Sequence, residues 1–182
     1  MLVNRRFTLP LFAALALAVL ALGITACGYS SETKDVSEGE TVHLGDLQYT
    51  VIFSRYLNPA DSEDSAYLVG QPPPQKGSSY FGIFLEVQNK SEKTQKLADS
   101  ATITDAGNQT FDAIPTESLY AFPFGGEVES QEPIPAPDST PQQGPIEGAL
   151  VLFELPAQAS ENRPLTLSIP GPEGPAEVKL DL

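Results

Sequence analysis

The chain is poor in the side chains that most often carry chemistry. Its 182 residues include one Cys, one His, one Met and no Trp, and only 10 Lys and Arg stand against 24 Asp and Glu. One cysteine, Cys27, rules out an internal disulfide. With His43 as the sole imidazole, no His/Cys zinc site can be assembled. A thiol hydrolase of the Cys-His type would need the one cysteine, which the amino-terminal motif below uses otherwise. The shortage of cations argues against nucleic acid, whose affinity comes mostly from Lys and Arg neutralising phosphates. Arg5 and Arg6 precede residue 27, whereas every acid follows it, so the remainder carries 8 − 24 = −16. Helical periodicity is missing as well, because no stretch keeps apolar residues on one helical face for three turns.

What is present is most specific at the amino terminus. Arg5 and Arg6 precede an apolar run over residues 11–22 (LFAALALAVLAL), and small residues lead from it to Cys27. The run is shorter than the roughly 20 apolar residues a bilayer span needs and fits the central region of a cleaved export signal. Ile24-Thr25-Ala26-Cys27 resembles the lipobox of bacterial lipoproteins, in which a branched apolar residue and two small residues precede the cysteine. The chemistry suits that order. A thiolate is nucleophilic enough to take a diacylglyceryl group as a thioether, and small residues let a peptidase bind the chain extended. The resemblance implies residues 1–26 as a lipoprotein signal peptide, Cys27 as the lipidated residue, and membrane attachment through that covalent lipid. Two other readings fit the same stretch: an ordinary Cys27 beyond a conventional cleavage site, or an uncleaved anchor. All three put the rest of the protein outside the cytoplasm.

Residues 28–39 (GYSSETKDVSEG) are small, polar and charged, and with Cys27 they read as a lipidated flexible tether over 27–39. From residue 40 a two-residue alternation takes over, which sends successive side chains to opposite faces of a strand. Leu47, Tyr49, Val51 and Phe53 form one series. Phe81, Ile83, Leu85 and Val87 form another, with Tyr80, Phe84 and Glu86 on its opposite face, the pattern of a central strand covered on both sides at one end. Residues 101–104 and 109–114 flank Asp105-Ala106-Gly107-Asn108, a hairpin turn in which Gly and Asn tolerate positive φ. Residues 148–155 make a nearly continuous apolar strand, Leu165, Leu167 and Ile169 alternate again, and so do Val178, Leu180 and Leu182 after the turn PGPEGP. Residues 116–122 (TESLYAF) are expected to make one or two helical turns, with Thr116 as N-cap and Leu119 inward. The fold class is therefore all-β, an antiparallel β-sandwich of seven or eight strands over residues 40–182.

Four segments carry a family resemblance: GDLQYTV at 45–51, YFGIFLEVQN at 80–89, DAGNQTF at 105–111 and GALVLFELP at 148–156. In order and spacing they resemble the telokin-like, immunoglobulin-fold domains of exported bacterial lipoproteins. The likeness covers about residues 40–182. It implies an immunoglobulin-like sandwich and brings no catalytic residue, since strand patterns specify fold and not activity.

Two long loops interrupt the alternation, residues 58–79 with the polyproline-like QPPPQ at 71–75, and residues 123–145 with six prolines and four acids. If the strands run up and down, Asp61, Glu63, Asp64, Asp105 and Glu161 collect at one end, the hard oxygens a Ca²⁺ ion would want. No Asp-x-Asp-x-Asp-Gly loop accompanies them, and solvation of loop acids explains them equally well. His43, the only side chain with a near-neutral unperturbed pKa, has no recognisable nucleophile beside it. Tyr56, Tyr67, Tyr80 and Tyr120 suit either sugar stacking or a β core, and Lys90, Lys93 and Lys96 read as a solvated face. Asn89-Lys90-Ser91 and Asn108-Gln109-Thr110 match the glycosylation pattern by chance in a bacterial lipoprotein. No catalytic residue, metal or cofactor is assigned. The expectation is a membrane-anchored, non-enzymatic binding module that meets another envelope protein and no nucleic acid, against two alternatives: a carboxylate-dependent envelope hydrolase and a purely structural envelope lipoprotein.

Overall fold

The two-residue alternation becomes strand wherever its apolar set finds a second layer. The computed structural model describes residues 35–181; the amino-terminal motif, Cys27 and most of the expected tether lie outside them. Twelve strands are formed among the described residues: β1 (Asp35–Ser37), β2 (Thr41–Leu44), β3 (Leu47–Leu57), β4 (Ser78–Asn89), β5 (Gln95–Lys96), β6 (Thr102–Thr104), β7 (Thr110–Asp112), β8 (Glu127–Val128), β9 (Pro133–Ile134), β10 (Ala149–Pro156), β11 (Thr166–Ile169) and β12 (Ala176–Lys179). Two short helices, α1 (Thr140–Gln143) and α2 (Ala157–Glu161), flank β10.

One sheet has the order β1-β12-β11-β6-β7; the other runs β10-β4-β3-β2, with β9 added along β4, and β5 and β8 form a separate pair. The two large sheets meet in a core of Val42, Tyr49, Val51, Phe81, Ile83 and Phe153 from one side and Ile103, Leu167, Ile169 and Val178 from the other, all 2% exposed or less. The expected β-sandwich is what the chain forms. The seven strands read from the alternation are present, and β2 makes an eighth. The four extra ones, β1, β5, β8 and β9, have two or three residues each, too few for an alternation to register in the sequence.

Three details differ from expectation. Strand β1 (Asp35–Ser37) lies inside the stretch read as tether, where it pairs in parallel with β12 and tucks Val36 into the core; the sheet is therefore not wholly antiparallel. Residues 116–122 are not helical, and Leu119 points outward at 77% exposure. Here the backbone follows β10 instead: Leu150 N–H donates to the Tyr120 carbonyl at 2.7 Å and Phe122 N–H to the Leu150 carbonyl at 2.8 Å. The Ser118 hydroxyl donates to the Ala66 carbonyl at 2.8 Å, fixing the segment from its other side. Finally, Phe53 is not on the face of Leu47, Tyr49 and Val51. A β-bulge at Ile52 inserts one residue between Val51, opposite Leu85, and Phe53, opposite Phe84. One extra residue swaps the faces of everything that follows: Ser54 and Tyr56 now share the inner face with Ile83 and Phe81, while Phe53 and Arg55 turn outward.

Candidate functional site

The bulged sheet is covered on both faces, and the second cover creates the site. Tyr80, Phe84, Leu150 and Leu152 project from its outer face, and the 58–79 loop lays Tyr67 and Leu68 over them, making a second buried cluster with Leu57. Tyr67 packs edge-on against Phe84 at 5.0 Å and Tyr120 at 4.7 Å between ring centroids. Gly82 makes the close approach possible, since a Cβ there would meet Leu150 Cδ1 at 3.0 Å and Leu57 Cδ1 at 3.1 Å. Polar ties hold the loop down: the Tyr80 hydroxyl donates to the Pro72 carbonyl at 2.7 Å, Gln75 N–H to Glu154 at 2.7 Å and Asn58 N–H to Asp64 at 2.7 Å. Asp64, buried, also accepts both terminal nitrogens of Arg55 in a forked ion pair.

The 123–145 loop covers the opposite end of the same face. Its β9 joins β4, with Ile134 opposite Val87, and the chain returns to β10 through Gly148. At φ +127° and with Phe84 Cβ 3.1 Å from where a side chain would start, that position takes glycine alone. The return sets Glu147 beside the sheet.

Between the two loops a strip stays open. The bulge places Ile52 (41% exposed) and Phe53 (43%) side by side in it. Beside Ile52 is a hollow of about 180 Å³ walled by Pro133, Pro135 and Pro137, with Glu86 and Glu147 at its rim. Beside Phe53 is a wider, shallower one of about 540 Å³, bordered by Arg55, Asp61, Glu63, Asp64 and Ile146. Glu86 and Glu147 are exposed, and their carboxylates make no hydrogen bond or ion pair with the described residues. The one cation bordering either hollow, Arg55, is already neutralised by Asp64. The strip is thus apolar along its middle and anionic at its margins.

A third cavity, about 410 Å³, opens at the far end beside Leu44, Tyr49, Lys96, Asp99 and Pro172. Its polar groups are engaged within the protein: Lys96 pairs with Asp99 at 2.8 Å, and the Tyr49 hydroxyl accepts Ala98 N–H at 3.1 Å. Burial pushes the hydroxyls of Tyr49, Tyr67 and Tyr80 above their ordinary value, so none is a base near neutral pH.

The acids expected to gather at one end do so only in part. Asn162 donates to Asp105 at 3.2 Å and accepts Ala106 N–H at 3.0 Å through its carbonyl, so the 105–108 turn and the segment after β10 meet. Asp105 is occupied by its own turn, accepting Gly107 N–H at 2.8 Å and Gln109 N–H at 2.9 Å. Asp61 caps the N–H groups of Glu63 and Asp64, and Asp64 belongs to Arg55. Among the described residues no three His, Cys, Asp or Glu side chains converge on a metal position, so the calcium cluster is not assembled. His43 is exposed on β2, opposite Gln48. Of the aromatic residues weighed for stacking, Tyr67 and Tyr80 are core, 1% exposed, and Tyr56 and Tyr120 are half-buried against the two clusters. Asn89 is fully buried, its amide donating to the carbonyls of Lys93, Val128 and Glu129, which explains its place in the sequence without any sugar.

Of the strip's residues, sequence reading noted Phe53, Glu86, Asp61, Glu63 and Asp64 and the prolines of the 123–145 loop, but missed Ile52, Glu147 and the wall that three of those prolines form. One signal was available: Pro133, Pro135 and Pro137 recur every second residue, which in an extended chain puts their rings on one side.

The described fold is a β-sandwich with one face partly roofed by loops. Comparison with known proteins agrees: no family model and no curated protein matches the sequence, whereas solved structures match the fold. The yjhA protein of Bacillus subtilis aligns with a TM-score of 0.51 at 15% identity, over 80% of this chain and 99% of that one. An uncharacterised β-sandwich protein from Clostridium difficile gives 0.49 at 11% identity over 80% and 92%. A Bacillus subtilis protein described as a candidate lipoprotein gives 0.46 at 13% identity over 80% and 38%. The likeness to the yjhA protein shows the fold alone and nothing about activity.

Proposed function

We propose that this protein is an exported lipoprotein, held by acyl chains on Cys27 at the outer side of a membrane, and that its telokin-like sandwich is a non-enzymatic interaction module. The observation that carries the reading is the amino-terminal sequence itself: Arg5 and Arg6, the apolar run over 11–22, then Ile24-Thr25-Ala26-Cys27. At about 0.8 kcal/mol per buried methylene, two or three acyl chains make release slow. Strand β1 starts eight residues after Cys27 (35 − 27), a spacer that in extended form reaches at most about 28 Å. Among the described residues no helix is long and apolar enough to cross a membrane. An interaction role is favoured over carboxylate hydrolysis because the buried carboxylates, Asp64 and Asp105, are engaged by Arg55 and by the N–H groups of the 105–109 turn. The test is expression of the full chain and of Cys27→Ala in a bacterium fed labelled palmitate, followed by detergent phase partition. Label and detergent-phase recovery are expected for the parent alone; a Cys27→Ala chain that still enters the detergent phase ends the proposal.

A further inference from the structure

We infer that the strip between the two loops binds a basic, extended polypeptide segment, with a Lys or Arg side chain in the proline-walled hollow. The inference deepens the interaction role proposed above and rests on it. Geometry points first to a side chain and not to a whole small molecule: about 180 Å³ is below the range of ordinary ligand pockets yet holds a four-carbon stem. The walls suit such a stem, since Pro133, Pro135 and Pro137 present rings without backbone donors, and Ile52 closes one side. The rim suits a cation. Long basic side chains lay their methylenes on apolar surface and keep the charged head in water, and here the head would find the carboxylates of Glu86 and Glu147, neither of which has a partner among the described residues.

The strip beyond the hollow supports a chain and not an isolated amine. Phe53 lies next to Ile52 at the bulge and opens onto the second hollow, where Asp61 and Glu63 are exposed. A segment laid along the strip therefore meets acids, then an apolar pair, then acids, which selects basic residues on either side of an apolar one. Charge complementarity extends to the whole protein, at −16 from residue 27 onward, which raises the encounter rate with a basic partner at low ionic strength.

The absence of Trp in the chain gives a background-free assay. The full-length protein in nonionic detergent is titrated into acetyl-Lys-Trp-Lys-Ile-Lys-amide, and the anisotropy of the peptide Trp is followed, with protein-free micelles as blank. Saturable binding is expected that weakens at least tenfold between low salt and about 0.3 M, where charges are screened within a few ångströms. The counterpart with Glu for Lys is expected not to bind. Glu86→Gln/Glu147→Gln, two exposed changes that leave melting unaltered, is expected to lose tenfold or more, and Ile52→Lys, which brings a cation of its own to the hollow, to lose at least as much. The inference is overturned by no saturable binding, by equal binding to the double variant, or by equal competition from free spermidine, which would show an amine site and no segment site. Palmitate labelling and detergent partition are unaffected by any of these results, so failure here leaves the lipoprotein proposal standing.

Discussion

At the scale of single residues, stability depends on a few positions where the backbone leaves one choice. Gly82 lies beneath Leu57 and Leu150, and a methyl there starts 3.0 Å from one and 3.1 Å from the other. Gly82→Ala is expected to cost about 1–3 kcal/mol by overpacking, read as a lower urea midpoint with an unchanged slope. Asp105 makes a different kind of prediction. The N–H groups of Gln109 and Gly107 and the amide of Asn162 hold its carboxyl below the usual range, Gln109 contributing most, against a desolvation that works the other way. A depressed native pKa means stability that is complete above the unfolded value of about 3.9 and is lost as pH falls through the native one. In acid titrations of the urea midpoint, Asp105→Asn, which keeps an acceptor but does not titrate, is expected to fall less steeply below about pH 4 than the parent. A parallel decline in both would remove Asp105 from the acid response.

Among the elements, β3 decides the arrangement. Its bulge moves Phe53 out and Ser54 and Tyr56 in, so deleting Ile52 removes the one unpaired residue and leaves Phe53 opposite Phe84 and Arg55 opposite Gly82, outward and within reach of Asp64. A retained cooperative melting transition is the expected result, and loss of that transition would show that the bulge itself, and not only the register it sets, is required for folding. The sequence could not reveal this, because Leu47, Tyr49, Val51 and Phe53 alternate without a break, and a bulge leaves no mark where apolar residues occupy both candidate registers. By contrast, β4 was legible in full. Its inner series, Phe81 to Val87, and its outer pair, Tyr80 and Phe84, are apolar for two different covers, and both covers exist. The segment at 116–122 was misread for a third reason: its helix signal is local, and backbone bonds to Leu150 outweigh one short turn. Half of the site was hidden likewise, since Glu147 and Ile52 acquire meaning only when β9 and the bulge bring them to the same hollow.

For the molecule as a whole, charge is the dominant long-range term. A net −16 on the part from residue 27 onward repels itself in the compact state, so the melting temperature is expected to rise by a few degrees on going from low salt to about 0.3 M; a flat response would mean that the acids are spaced widely enough to ignore one another. The sandwich architecture was readable from periodicity, whereas the roofing of one sheet by loops was not, because it depends on contacts between segments far apart in sequence, such as Tyr67 with Phe84 and Ser118 with Ala66.

One feature of that sheet governs how neighbouring copies meet. Strand β10, eight residues and almost entirely apolar, would be the most adhesive border of the molecule, yet its outward hydrogen-bonding groups are taken by Ile114, Tyr120 and Phe122. Among the described residues the border strands left over, β1, β2 and β7, have only three or four residues, too short to template growth from one molecule to the next, and the edge of β3 beyond β2 is partly taken by Gly39 N–H on the Val51 carbonyl and by Glu38 on Ser54 N–H. Crowded copies would therefore collide without fusing into fibrils.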